Sequence, residues 1–167
     1  MTVKRGCTEP QLERMMDQYG SAMLRLCYVY LKNRSAAEDA VQEAFIKTYQ
    51  KCPQFESAAQ EKAWIMQVTA NICKDILRSG WNRHIVLTEE YPEPVAPEKP
   101  PETDSDLLQA VLALKPNYRM VIVMHYYLDF RVNEIAKILK VPQSTISVRL
   151  RRARNLLKQK IIDARCT

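Results

Sequence analysis

Glycine is nearly absent, with Gly6, Gly20 and Gly80 the only three in 167 residues. A phosphate-cradling loop of the Walker or dinucleotide-binding kind needs several glycines in one short turn, so both are excluded. The five cysteines, Cys7, Cys27, Cys52, Cys73 and Cys166, include no CxxC pair, and the two histidines, His84 and His125, stand far apart. That scatter offers neither a zinc site nor a disulfide framework and predicts structural thiols in a reducing cytosol. Glu38, Asp39 and Glu43 lack the turn glycine of a calcium loop. Neither histidine has the serine or cysteine neighbours that would recommend a catalytic triad. No metal, no cofactor and no enzymatic chemistry are expected. Apolar runs are broken by charge within a helical turn or two, short of the roughly 20 residues of a membrane span, and no targeting signal opens the chain. The expected location is cytoplasmic, without membrane insertion. Alternating strand patterns are missing as well, which leaves an all-α fold.

What remains is 47% hydrophobic and 26% charged, a balance normal for a globular chain. The net charge of +6 is unevenly placed: residues from Arg131 onward carry +8, and the preceding 130 sum to −2. A positive field confined to the C-terminal segment fits a footprint on phosphates better than general solubility.

Helical periodicity runs from Gln11 to Lys32, through Leu12, Met15, Met16, Tyr19, Met23, Leu26, Cys27, Tyr30 and Leu31, with Asn33 expected to close the helix. Ser35-Ala-Ala-Glu38 reads as a capping box opening a second helix that stops at Cys52-Pro53. Ser57-Ala-Ala-Gln60 reads as another, opening a helix from about Ala58 to Ser79 with Ala63, Trp64, Val68, Ile72, Ile76 and Leu77 inward and Gly80 as its cap. Five of the nine prolines and seven acidic residues then crowd between Thr88 and Asp106, against Lys99 alone. Such a stretch has little to bury and predicts an extended, self-repelling linker. Two small domains follow, at 1–83 and 104–167, with the linker at 84–103. The second is expected to hold four short helices: one with Leu107, Leu108, Val111, Leu112 and Leu114 as its stripe, one begun by Pro116, and a final pair. His125 is expected as a satisfied core or interface residue.

That final pair, Phe130 to Leu157, reads as two helices joined by a tight turn. Ile135, Ala136, Ile138 and Leu139 share one side of the first. Ile146, Leu150, Ala153 and Leu157 fall within roughly 60° on the second, a narrow buried stripe. Ser144, Ser147, Val148, Arg151, Arg152 and Asn155 point the other way. Arginines and short polar side chains opposite a pure apolar seam suit a DNA major groove, as in a helix-turn-helix. A solvated amphipathic helix is the plain alternative.

Three segments in order, EDAVQEAFIKTYQ (Glu38 to Gln50), AWIMQVTANICKDILRS (Ala63 to Ser79) and Leu114 to Leu157, resemble the signature segments of the extracytoplasmic-function sigma factors of the sigma-70 family. The resemblance spans roughly Gln11 to Lys160, the linker matching in character only. It implies a sigma factor that binds core RNA polymerase, through the β′ clamp helices and the β flap, recognises promoter DNA and is held by an anti-sigma factor. Asp39, Gln42, Glu43 and Phe45 match the family's clamp-docking helix, a place in the core being the alternative for Phe45. Gln54 to Lys62 matches the loop that receives a flipped base of the minus-10 element. Asn71 lies beside that pocket, with Lys74 and Arg78 as backbone contacts and Trp64 expected in the core. Ser147, Val148, Arg151 and Arg152 match the minus-35 reading face, on which periodicity also places Ser144, while Arg149, Arg154 and Lys158 suit phosphates. The acidic linker, in this family, threads toward the RNA exit channel, where it would mimic RNA; a passive tether is the alternative.

The pattern departs from the family at three places: Lys140 replaces a turn glycine at a left-handed position, Arg131 replaces a capping serine, and Ser144 replaces another glycine. The competing reading of the whole chain is a stand-alone two-domain helix-turn-helix regulator, acting as a dimer on palindromic DNA.

Overall fold

The computed structural model describes residues 6–79 and 102–166. The chain divides into two compact units, one within residues 1–83 and one within 84–167, and all regular structure in the described residues is helical. No helix among them is long and apolar enough to cross a membrane.

The first unit is three mutually packed helices, α1 (Glu9–Leu31), α2 (Arg34–Lys51) and α3 (Ala58–Arg78). Thr8 opens α1 with a reciprocal capping box: its hydroxyl accepts from Gln11 N–H at 3.3 Å, and the Gln11 side chain accepts from Thr8 N–H at 2.9 Å. Asn33 does not close α1. Lys32 does so in the left-handed conformation, and Asn33 instead caps α2, its side chain accepting from Ala36 N–H at 2.9 Å. Ser35 therefore lies inside the first turn, and Glu38 pairs with Arg34 rather than with a backbone amide. α2 ends at Cys52 before Pro53, as the missing proline N–H dictates. Its free carbonyls are met by the N-terminal segment, because Gly6 N–H donates to Cys52 O and Cys7 N–H to Tyr49 O. Gly6 sits at φ +128°, where an added Cβ would lie 2.6 Å from Tyr49 O, so only glycine fits. Ser57 caps α3 as expected, accepting from Gln60 N–H, but the Gln60 side chain reaches Glu56 N–H instead of closing the box.

Met15, Tyr19, Met23, Leu26 and Cys27 of α1 form the centre of this core, while Met16 is 46% exposed. On α3 the buried face differs from the apolar one: Ile65, Met66, Ala70, Ile72 and Cys73 are buried with the polar Glu61 and Thr69, whereas Ala63, Trp64, Val68, Ile76 and Leu77 are only half-buried. The polar pair is satisfied inside. Thr69 bonds its own helix at Ile65 O, and Glu61 accepts from Arg14 and Tyr19. The Cys73 thiol donates to Cys27 Sγ at 3.3 Å in the dry centre. Gly80 and all of the linker except its last two residues lie outside the described residues.

The second unit holds α4 (Glu102–Leu112), α5 (Pro116–Ile122), α6 (Val132–Leu139) and α7 (Gln143–Cys166). α5 continues into a π-helical turn, Val123–Tyr127. Pro116 starts α5, and Ala110, Val111, Leu112 and Leu114 pack inward, but Leu107 is 46% exposed. α7 is not short; it carries past the motif to Cys166, with Leu156 and Ile162 exposed. It is the axis on which α4, α5 and α6 pack. Ile146, Leu150 and Ala153 are at most 2% exposed against Ile135, Ile138 and Leu139, each large side chain contributing about 1.5–3 kcal/mol. His125 is satisfied by Phe130 O at 2.9 Å.

Candidate nucleic-acid interface

The turn joining α6 to α7 keeps the left-handed geometry despite lacking glycine: Lys140 sits at φ 56°, ψ 45°, and Val141 N–H bonds back to Ala136 O at 3.1 Å. Arg131 has no acceptor to cap α6. Glu134 replaces it, accepting from Arg131 N–H at 2.7 Å. With the seam of α7 fixed by burial, Ser144, Ser147, Arg151, Arg152 and Asn155 are exposed together, and Val148 is half-buried among them. Arg149 and Arg154 lie on opposite flanks of that face. Arg149 is half-buried; Arg154 is exposed, and its Nη1 donates to the Tyr126 hydroxyl at 3.0 Å. The π turn exposes Tyr126 and Tyr127. Along the Arg149 flank runs an open cleft of about 380 Å³ between α7 and the start of α5, with Lys115, Asn117 and Tyr118 on its far wall.

In the first unit Asn71 and Arg78 are exposed and Lys74 is half-buried. At 100° per residue they share a stripe about 60° wide. Trp64 falls on the same stripe two turns earlier. Its expected core position is wrong: it is half-buried, leans on the Phe55 ring at 5.7 Å between centroids, and borders an open cleft with Gln50, Lys51 and Pro53. The seven-residue spacing to Asn71 is the signal in the sequence that places Trp64 on this face. Counting the indole as simply apolar hides that signal, because periodicity then assigns it to the core.

On α2, Asp39, Gln42 and Glu43 are exposed as one polar edge, but Phe45 is 8% exposed and belongs to the core. The apolar groups beside the carboxylates are Ile46 and Tyr49, 57% and 43% exposed. Ile46 lies three residues beyond Glu43, on the carboxylate face, whereas Phe45 is turned about 100° from it toward α1.

Two family profiles match the chain: Sigma-70 region 2 over residues 15–83, and Sigma-70 region 4 over residues 104–157. The ECF RNA polymerase sigma factor SigW of Bacillus subtilis is 28% identical over 176 residues, an alignment covering 96% of this chain and 94% of SigW. The RNA polymerase sigma factor SigV of the same organism is 26% identical over 156 residues, covering 93% of each. Among solved structures, the sigma factor RpoE of Bartonella quintana, in complex with the anti-sigma factor NepR, has the same fold at a TM-score of 0.74 and 22% identity, over 90% of this chain and 96% of that one. Two regions matched in family order, each coinciding with one helical unit, leave one assignment: the chain belongs to the sigma-70 family and is an alternative RNA polymerase sigma factor of the extracytoplasmic-function type.

Proposed function

We propose that α2 docks on the β′ clamp helices of core RNA polymerase through Asp39, Gln42 and Glu43, with Ile46 and Tyr49 rather than Phe45 as the apolar anchors. An exposed aliphatic and an exposed phenol beside carboxylates suit a basic helical partner, since desolvated apolar groups carry the affinity and charges set the register. The second unit engages the β flap and reads the minus-35 element. There Ser144, Ser147, Val148, Arg151 and Arg152 face the base edges, and Arg149 and Arg154 face phosphates.

The α3 stripe reads the minus-10 element as single strand. Asn71 offers an amide to a base edge, Lys74 and Arg78 follow the backbone, and Trp64 supplies a stacking face. The chain performs no catalysis of its own; chemistry belongs to the polymerase, and the complex works in the cytoplasm, held in reserve by an anti-sigma factor. The observation that carries this reading is the exposed basic face of α7 above a dry apolar seam. In vitro transcription with purified core polymerase and this chain on a genomic fragment library should give discrete start sites that vanish when either component is left out. DNA binding as a dimer to palindromic sites, with no initiation on adding core, would establish the stand-alone regulator instead.

A further inference from the structure

The cleft beside α7 contains residues that lie well upstream of the helix-turn-helix. Lys115, Asn117 and Tyr118 come from the junction of α4 and α5, and they face Arg149 and Arg152 across about 380 Å³ of open space. Its rim includes Ser144 and Val148, so it opens directly onto the groove-reading face. Its lining holds three cations and no carboxylate. None of Lys115, Arg149 and Arg152 is paired with an acidic side chain among the described residues. Lys115 starts α5 without making a side-chain cap, so no structural bond accounts for it.

The azimuths on α7 say what meets this cleft. Taking the Ser144, Val148 and Asn155 side as the direction of the base edges, Arg152 and Arg149 turn about 60° and 120° toward the cleft, and Arg154 turns about 100° the other way. A helix seated in a major groove about 12 Å wide has one phosphate strand along each flank. Three cations, an amide and a phenol on the cleft flank present only positive charge and hydrogen-bond donors or neutral acceptors. That chemistry takes an anion, and beside a face turned into the major groove the anion within reach is a backbone phosphodiester.

We propose that the cleft seats the backbone of one DNA strand, with Lys115, Asn117 and Tyr118 joining Arg149 as phosphate contacts, while Arg152 on the rim between cleft and groove keeps its place toward the base edges. The other strand falls to Arg154, which Tyr126 of the π turn holds at 3.0 Å. This rests on the DNA-binding reading of α7 and adds to it a second wall that the motif does not contain.

The test is the salt dependence of binding of the full chain to a short random-sequence duplex, because the phosphate contribution is independent of sequence. Removing one cation that neutralises a phosphate should reduce the slope of log K against log salt by about 0.9. K115A should show that reduction and weaken binding equally on different duplexes, and K115R should restore the slope. N117A and Y118F should weaken binding severalfold at an unchanged slope, since they remove neutral donors. K160A, on the same helix about 12 Å beyond Arg152, should leave the slope alone. On a promoter recovered by the transcription assay, where orientation is fixed, methylphosphonates in one strand should erase the difference between wild type and K115A while the R154A difference survives. A wild-type slope in K115A, or equal sensitivity to methylphosphonates in both strands, overturns the cleft assignment alone. If the wild-type chain shows no salt-dependent duplex binding at all, the DNA-binding reading itself falls.

Discussion

Glu61, in the first turn of α3, is the only buried acidic side chain among the described residues, at 8% exposure. Both of its oxygens are used: Arg14 donates to Oε1 and Oε2 at 2.9 and 2.8 Å, and Tyr19 donates to Oε1 at 2.9 Å. The Arg14 fork holds the carboxyl below its ordinary range against the opposing effect of burial. Such a group stabilises the fold above the ordinary carboxylate pKa of about 4.3, and its contribution is lost as pH falls through the lower folded value. Tyr19 behaves oppositely. Burial first, and the Glu61 bond second, push its phenol up to about 12, so its contribution is complete below the ordinary value of about 10 and fades as pH rises above it. The guanidinium is half exposed, so solvent screens part of the pairing. E61Q should cost the first unit about 1–2 kcal/mol at neutral pH and flatten the acid limb of its stability. Urea unfolding at a series of pH values, followed by tryptophan fluorescence, reads this unit selectively because Trp64 and Trp81 both precede residue 84. An acid limb as steep as wild type would assign the effect to another carboxylate.

Among the elements, the α6–α7 turn carries visible strain. Lys140 is an L-residue in the left-handed region, a conformation that costs roughly 1–2 kcal/mol. Glycine removes that cost but loses about 0.5–1 kcal/mol more chain entropy on folding. K140G should therefore stabilise the second unit by about 0.5–1 kcal/mol, seen as slower amide exchange from Ile135 to Leu139. Unchanged or faster exchange would mean that the lysine side chain stabilises the turn. Helices α2 and α3 pose a different problem. Apolar residues occupy a broad arc of each, so periodicity alone leaves several faces eligible for burial. Packing against α1 chose Phe45 on α2, and Ile65, Met66 and Ala70 on α3, leaving Ile46, Tyr49 and Trp64 for other partners.

At the scale of the whole molecule, the two faces proposed to read promoter DNA, on α3 and on α7, reside on separate units. Modest affinities become specific when polymerase holds both units on one DNA, because the second interaction forms at high effective concentration. The spacing between the two promoter elements should then matter as much as their sequences. Lengthening a recovered promoter by about half a helical turn between its elements, five of roughly 10.5 base pairs, should lower run-off transcription by more than about tenfold, while core binding stays unchanged. Undiminished transcription would show that one unit alone selects the promoter.

The helical class, the stripes of α1 and α7, and the exposed basic face of α7 were legible in the sequence because each depends on residues within a few turns of one another. The narrow seam at Ile146, Leu150 and Ala153 admits one burial direction, and so the opposite face followed from spacing alone. The caps were only partly legible: Ser57 opens α3 as expected, but Asn33, expected to close α1, opens α2 in place of Ser35, because the amide a cap reaches depends on the path of the entering chain. Glu61 buried beneath an arginine 47 residues away, Trp64 turned outward, Phe45 turned inward and Lys115 set across a cleft from Arg149 leave no local pattern. These were decided only when helices from distant parts of the chain met, because a side chain's burial is a property of what packs against it, and periodicity describes one helix at a time.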